Sequence, residues 1–321
     1  MKTKNKSKVK NKKIVIVFII ILLILIIFFK NKITIEGKNN NYKEINKNNV
    51  ETLETSKIPE KNNISSKIDL NHLQENESSF GKLDVPVYKK SEKDIYIPIL
   101  IYHAFDTEIP NNSLAGLFTK PETFENAILT LKENGYTFIT LEDLEKYNNG
   151  TIGLSEKNIL ITMDDGWLGC YTYAYPILKK YNVPATIFMI NDLVENEAYF
   201  SWEQAKEMYE SGLVKLGVHG KGHLDCSTLS KSTLISGYNY TYNKICEVTG
   251  DKVQKIMAYP SGSSNSNTIS WLKNEGFNIQ VQTKYGTVNK SSNLNLTDLG
   301  RVRAEQSSGK SILNKIEKGK K

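Results

Sequence analysis

Short apolar runs along the chain alternate with stretches whose apolar residues recur every three or four positions. The run Ile97–Phe105, I-P-I-L-I-Y-H-A-F, reads as a buried strand that ends at Tyr102 and His103. Pro121 then opens a helix with Phe124, Ile128 and Leu131 on one face, stopped at Gly135. A strand over Tyr136–Thr140 and a short helix over Leu141–Tyr147 follow. The buried strand Ile159–Thr162 runs into the adjacent carboxylates Asp164 and Asp165, and Gly166 allows a sharp turn after them. A helix over Tyr173–Tyr181 carries Pro176 in its first turn, and Ala185–Ile190 is a strand. Ser201-Trp-Glu-Gln204 matches a capping box, which predicts a helix over Trp202–Ser211 halted by Gly212. The strand Leu213–Val218 leads to His219. Beyond it come a helix over Lys231–Val248, a strand over Lys255–Tyr259, a helix over Asn267–Asn274 and strands over Ile279–Thr283 and Asp298–Arg303. Strands and helices in strict alternation give an α/β class with parallel β/α units, and about seven such units favour a barrel over an open sheet. His103, Asp164, Asp165, His219 and the Tyr259–Ser261 segment all fall at the C-terminal end of a predicted strand, where parallel barrels gather their sites.

The first quarter of the 321 residues has a different texture. Residues 1–13 carry seven lysines and no acid, and residues 14–29 are unbroken apolar, closed by Lys30 and Lys32. That apolar stretch is shorter than the about 20 residues of an average membrane span, but flanking lysine stems can snorkel. The lysines ahead of it predict an inside N-terminus and an extracellular body. The rival is a secretory signal peptide; the apolar core is long for one and no small-x-small cleavage site follows it. The expectation is an uncleaved single-pass anchor, with secretion after cleavage as the alternative. Residues 30–90, rich in Asn, Lys, Glu and Ser, cannot bury enough apolar surface to offset chain entropy and read as a flexible tether that includes His72. The folded domain is then 91–321.

The formal net charge of +7 belongs to that anchor. Residues 1–32 hold nine of the 42 basic residues, which leaves 33 basic against 35 acidic in the body. Such a body has no footprint for nucleic acid. Cys170, Cys226 and Cys246 are odd in number and irregularly spaced, compatible with one disulfide and a thiol or with three buried thiols.

Candidate chemistry lies in two clusters. Neighbouring strand residues face opposite ways, so Asp164 and Asp165 at one strand mouth have different jobs, one on a metal and one free as a base; alone, D-D-G is more often a solvated turn. The second cluster is His219-Gly-Lys-Gly-His223, two imidazoles that can converge on one ion from a compact loop. With Asp165 they make a set of two His and one carboxylate with open positions for a divalent metal and water. The chain has only four His, and two of them stand here.

T-M-D-D-G (Thr162–Gly166) and H-G-K-G-H (His219–His223) resemble the first two motifs of the NodB-homology polysaccharide deacetylases, family four of the carbohydrate esterases. Ala258–Gly262, A-Y-P-S-G, is similar to a variant third motif, and the resemblance covers roughly residues 95–304. It implies a distorted (β/α) barrel with a metal at the strand ends, held by Asp165, His219 and His223. Zn²⁺ is the default, and Co²⁺, Ni²⁺ or Fe²⁺ suits the same donors. It implies Asp164 as general base, an oxyanion met by a backbone N–H near Ser261 in the segment with Tyr259, and a general acid for the departing amine.

The sequence departs from the family pattern. Met163 replaces Phe, and Gly220 replaces Ser or Thr after the first His. No His follows His223 to serve as the usual acid. The circularly permuted branch, similar to enzymes that deacetylate poly-N-acetylglucosamine, takes its acid from a Y-H motif, which Tyr102-His103 matches. Ala258 stands where the family carries an Arg. The chain's only two Arg, Arg301 and Arg303, lie together, and one of them is expected to orient Asp164 through the planar fork that Lys lacks. Trp167 and Trp202 are candidates for stacking on a sugar ring, though buried aromatics are commoner. Cys226 reads as a packed thiol. The expected function is hydrolysis of N-acetyl groups on an extracellular N-acetylglucosamine polysaccharide. An O-acetyl esterase, a peptidoglycan deacetylase and a non-catalytic glycan-binding protein are the alternatives.

Overall fold

The structure is a computed structural model that describes residues 94–320 apart from Thr287. The basic tail, the anchor, the tether and His72 lie outside the described residues. Among the described residues, no helix is long and apolar enough to cross a membrane.

Seven parallel strands close on themselves: β1 Ile99–Tyr102, β2 Asn158–Met163, β3 Ala185–Met189, β4 Val214–Val218, β5 Ile256–Ala258, β6 Ile279–Tyr285 and β7 Leu299–Arg303. Each pairs with its sequence neighbour, and β7 pairs with β1 to complete the barrel. The expected seven-unit barrel is therefore present. The period-2 alternation of the strands sorts their side chains into two clusters. Ile99, Leu160, Phe188, Ile256, Ile279 and Leu299 belong to one, inside the barrel. Leu100, Ile161, Ile187, Leu216, Met257 and Val302 belong to the other, under the outer helices. Strands buried on both faces read as continuous apolar runs, which is why this sequence shows them so plainly.

The helices are α1 Pro121–Glu133, α2 Leu141–Asn148, α3 Tyr175–Tyr181, α4 Trp202–Glu210, α5 Lys231–Thr249, α6 Ser266–Asn274 and α7 Gly309–Gly319. The capping box predicted at Ser201 and Gln204 forms, and Thr140 with Asp143 makes a second one at the start of α2. In α1 the predicted face Phe124, Ile128 and Leu131 is buried. Phe124 meets the rings of Tyr102 and Phe105 edge-on, at 5.1 and 4.9 Å. The short α2 packs its Leu141 and Leu144 with the cluster inside the barrel, and its Glu142 lies 3.5 Å from Lys215 near the start of β4. It plugs the N-terminal end and leaves the opposite end open for the site.

Three expectations need correction. The strand placed at Tyr136–Thr140 shrinks to Thr137–Phe138, which pairs only with the first residues of β2. The helix placed at Tyr173–Tyr181 begins as a π-helical turn, Cys170–Ala174, and becomes α-helical at Tyr175. A final helix, α7, goes unread between Arg303 and the C-terminus and packs on α1. All three cysteines are free thiols.

Candidate active site

The open end of the barrel gathers the loops after β1, β2, β4, β5 and β7. At the end of β2, Asp165 adopts φ +75° and Gly166 φ +84°. The left-handed region is a strained place for an aspartate and an easy one for glycine. Together they turn the chain back on itself, so that Trp167 donates its indole N–H to Asp165 Oδ2 at 3.0 Å. The other oxygen, Oδ1, is buried and has no hydrogen-bond partner.

Two imidazoles face that oxygen. His219 Nδ1 lies 2.9 Å from the Ala258 carbonyl, which can only accept, so Nδ1 carries a proton and in the neutral ring Nε2 presents a lone pair. Nε2 stands 3.3 Å from Asp165 Oδ1. After His219, Gly220 at φ +79° and His223 at φ +55° bend the loop, and His223 Nε2 comes to 3.5 Å from the same oxygen. In a neutral His219 protonated on Nδ1, the approach of its Nε2 to Asp165 is not a hydrogen bond. Two nitrogens and one carboxylate oxygen within 4.8 Å of one another, with the oxygen otherwise unsatisfied, fit a divalent cation. Burial raises the Asp165 carboxyl, but without a metal the positive charge that the His219 and His103 rings can carry outweighs it and holds it well below the usual range. Burial and the neighbouring His219 push His223 down, which keeps it neutral, the form a metal ligand needs.

Asp164 is fully buried and turned to the other side. Arg301 grips it with two parallel bonds of 2.7 Å, Nη1 to Oδ1 and Nη2 to Oδ2. The same guanidinium donates from Nε to the Gln282 carbonyl at 2.8 Å and from Nη1 to Thr162 Oγ1 at 3.2 Å. Burial by itself would raise the Asp164 carboxyl; the Arg301 charge overcomes it, and the net shift is downward. Arg303 does not reach Asp164. Its Nε lies 3.4 Å from Glu305 Oε2, and its Nη2 donates to the Gly116 carbonyl at 3.1 Å.

At the end of β1, His103 is paired through Nδ1 with Glu305 Oε1 at 2.8 Å. Burial lowers the His103 pKa, but the Glu305 hydrogen bond and the charges of Asp164 and Asp165 carry it above the ordinary histidine value. His103 is thus within electrostatic reach of both carboxylates.

The remaining candidates are placed less directly. Tyr259 is fully buried and donates its hydroxyl to Gln280 Oε1 at 2.5 Å, so its ring offers nothing to a substrate. Ser261 sits on the turn Pro260–Gly262 after β5 at φ +54°. Trp202 occupies the first position of α4, half-buried, with Lys244 of α5 over its ring at 6.0 Å. Cys226 is buried with its Sγ 3.3 Å from the Tyr238 hydroxyl, outside the Asp-His-His cluster.

Residues 152–279 match the family model described as polysaccharide deacetylase. The chain is 31% identical over 211 residues to the putative polysaccharide deacetylase YxkH of Bacillus subtilis, across 66% of this chain and 73% of that one. The chain belongs to the polysaccharide deacetylase family. Another member, the poly-beta-1,6-N-acetyl-D-glucosamine N-deacetylase of Staphylococcus aureus, is 29% identical over 64% of this chain and 73% of its own. Among solved structures, the Streptococcus pyogenes deacetylase PplD in complex with acetate superposes with a TM-score of 0.64 at 26% identity, covering 70% of this chain and 99% of PplD.

Within this deacetylase site, Glu305 and the Ala258 carbonyl go unread in the sequence, and so does the bond from Trp167, a candidate there for sugar stacking, to Asp165. Glu305 carried a usable signal. Arg301, Arg303 and Glu305 are spaced by two, and a strand places such residues on one face. The other two depend on backbone that turns back at Asp165 and on a carbonyl from a neighbouring strand, which no side-chain pattern announces.

Proposed function

We propose that this protein is a metal-dependent N-deacetylase that removes acetyl groups from an extracellular polysaccharide containing N-acetylglucosamine. The observation that carries the reading is the unpartnered Asp165 Oδ1 facing two imidazole nitrogens, with an Arg-held carboxylate and a Glu-held imidazole beside it. Asp165, His219 and His223 hold the ion, which supplies Lewis-acid polarisation of a carbonyl and lowers the pKa of water; Zn²⁺ is the default for these donors. Asp164, kept ionised by Arg301, takes a proton from the water that adds to the acetyl carbon. A backbone N–H near Ser261 donates to the oxyanion that develops. His103, kept protonated by Glu305, gives its proton to the departing amine, since an amide anion is a very poor leaving group. The products are acetate and a free glucosamine amine.

The substrate assignment draws on the staphylococcal relative, whose name states poly-beta-1,6-N-acetyl-D-glucosamine. The location draws on the sequence: seven lysines, then an apolar stretch over 14–29, then a tether long enough to hold the domain off a membrane.

The test is acetate release from poly-N-acetylglucosamine oligomers, measured with chelator and with metal restored. Release that chelator stops, and that His103→Ala lowers by about 10²–10⁴-fold while metal affinity holds, is the expected result. Asp164→Asn is expected to end turnover and keep metal uptake. Glycan binding with no acetate release by metal-loaded protein would make it a binding protein.

A further inference from the structure

The geometry points to Trp167 as a positioning residue that fixes how the Asp165 carboxylate presents itself to the metal. This rests on the metal reading above and extends it to a residue whose side chain would not touch the ion. A carboxylate has two equivalent oxygens and can swing about its last bond, so a ligand aspartate needs something to choose which oxygen faces the ion and to hold it there. Here the choice is visible. The indole N–H occupies Oδ2 at 3.0 Å, while Oδ1 is left buried, unpartnered and between two imidazole nitrogens. An indole is a donor only and carries no charge, so it engages one oxygen without competing for the cation or repelling it.

The indole is itself held. Its ring lies against Tyr199, with centroids 4.9 Å apart and planes 25° from parallel, and Phe118 meets it edge-on at 5.7 Å. The backbones of Trp167 and Tyr199 form an antiparallel bridge, and Leu168 N–H donates to the Ala198 carbonyl at 2.8 Å. Each ring pair adds to that hold beyond its buried area. The segment before α4 therefore braces the indole, and the indole braces the ligand. Between the two residues the chain turns back, with Asp165 and Gly166 both at positive φ.

The experiment measures Co²⁺ affinity of the full chain by competition with a chromophoric chelator, beside kcat and KM for poly-N-acetylglucosamine oligomers at saturating Co²⁺. Trp167→Phe keeps an aromatic ring against Tyr199 and deletes the N–H. The expected result is a Kd for Co²⁺ weakened by about tenfold or more, an unchanged melting temperature of the metal-free protein, and a kcat that saturating Co²⁺ largely restores. Tyr199→Leu, which leaves the N–H and removes its brace, is expected to weaken Kd in the same direction by less. An unchanged Kd in Trp167→Phe overturns the inference, and a raised KM with that unchanged Kd would make the indole a sugar contact instead. If the unmodified protein takes up no Co²⁺ or Zn²⁺, the metal reading itself fails, an outcome distinct from equal uptake by both.

Discussion

At the scale of single residues, two ion pairs prepare Asp164 and His103 for opposite tasks. Burial raises the Asp164 carboxyl, and Arg301 more than offsets it and favours the ionised base. Glu305 raises His103 and keeps an acid protonated. The raised pKa sets the sign of the pH dependence. The acid form is present below that pKa and disappears as pH rises through it, so kcat/KM falls on the alkaline side. Glu305→Gln removes the charge that raises His103, and the alkaline limb is expected to move to lower pH; a limb that stays in place would assign it to another group. Arg301→Ala leaves Asp164 without its partner in a fully buried setting, where removing one member of a pair costs about 3–5 kcal/mol. Denaturant unfolding is expected to show that loss, and the same change at half-exposed Arg303 a much smaller one. The two Arg stood out in the sequence because every other basic residue apart from His is Lys. Which of them meets Asp164 was not legible there, because both face the same side of β7 and the distinction is one step of height along it.

At the scale of elements, local chemistry decided what could be read. Capping boxes, Gly stops and apolar faces are written in contiguous residues, and α1, α4 and α5 formed close to their expected bounds. The π-helical turn Cys170–Ala174 was not legible, and the close contact beside it is tertiary. Gly169 sits so close to the strand Ala104–Phe105 that a Cβ there would overlap the Phe105 carbonyl oxygen. The turn thus packs directly on the segment that follows His103, whose carbonyl accepts from the Cys170 thiol at 3.2 Å. Gly169→Ala is expected to destabilise by roughly 1–3 kcal/mol, the usual cost of forced overpacking, and to lower kcat more than a comparable core substitution far from His103. Thermal melting read beside turnover separates the two effects. Ile245→Ala serves as that comparison: the side chain is buried on α5, which packs on α4, α6 and β4 rather than on β1, and its loss costs about 2–5 kcal/mol.

At the scale of the whole molecule, the barrel arises because β7 returns to pair with β1, and nothing local to either strand encodes that closure. It was inferable only from the number of β/α units and from chemistry collecting at one end of each strand. Closure puts the first and last parts of the folded domain side by side, and the site depends on it. His103 comes from β1, and its partner Glu305 lies just beyond β7, 202 positions later. Losing the strand pairing between β7 and β1 should therefore remove the acid and the base support together, while the Asp165, His219 and His223 set, carried by β2 and β4, depends on it less. Ending the chain at residue 298 removes β7, Arg301, Glu305 and α7. The expected product is a destabilised protein without turnover; any acetate release by it would show that neither Arg301 nor Glu305 is required. At the other end, the tether and the apolar stretch lie far in sequence from every site residue. Deleting residues 1–32 is expected to move the protein from the membrane fraction to the soluble fraction and leave kcat/KM on soluble oligomers within about twofold, as for changes independent of the site. Fractionation with no shift would mean that the apolar stretch is cleaved in the mature protein or does not anchor it.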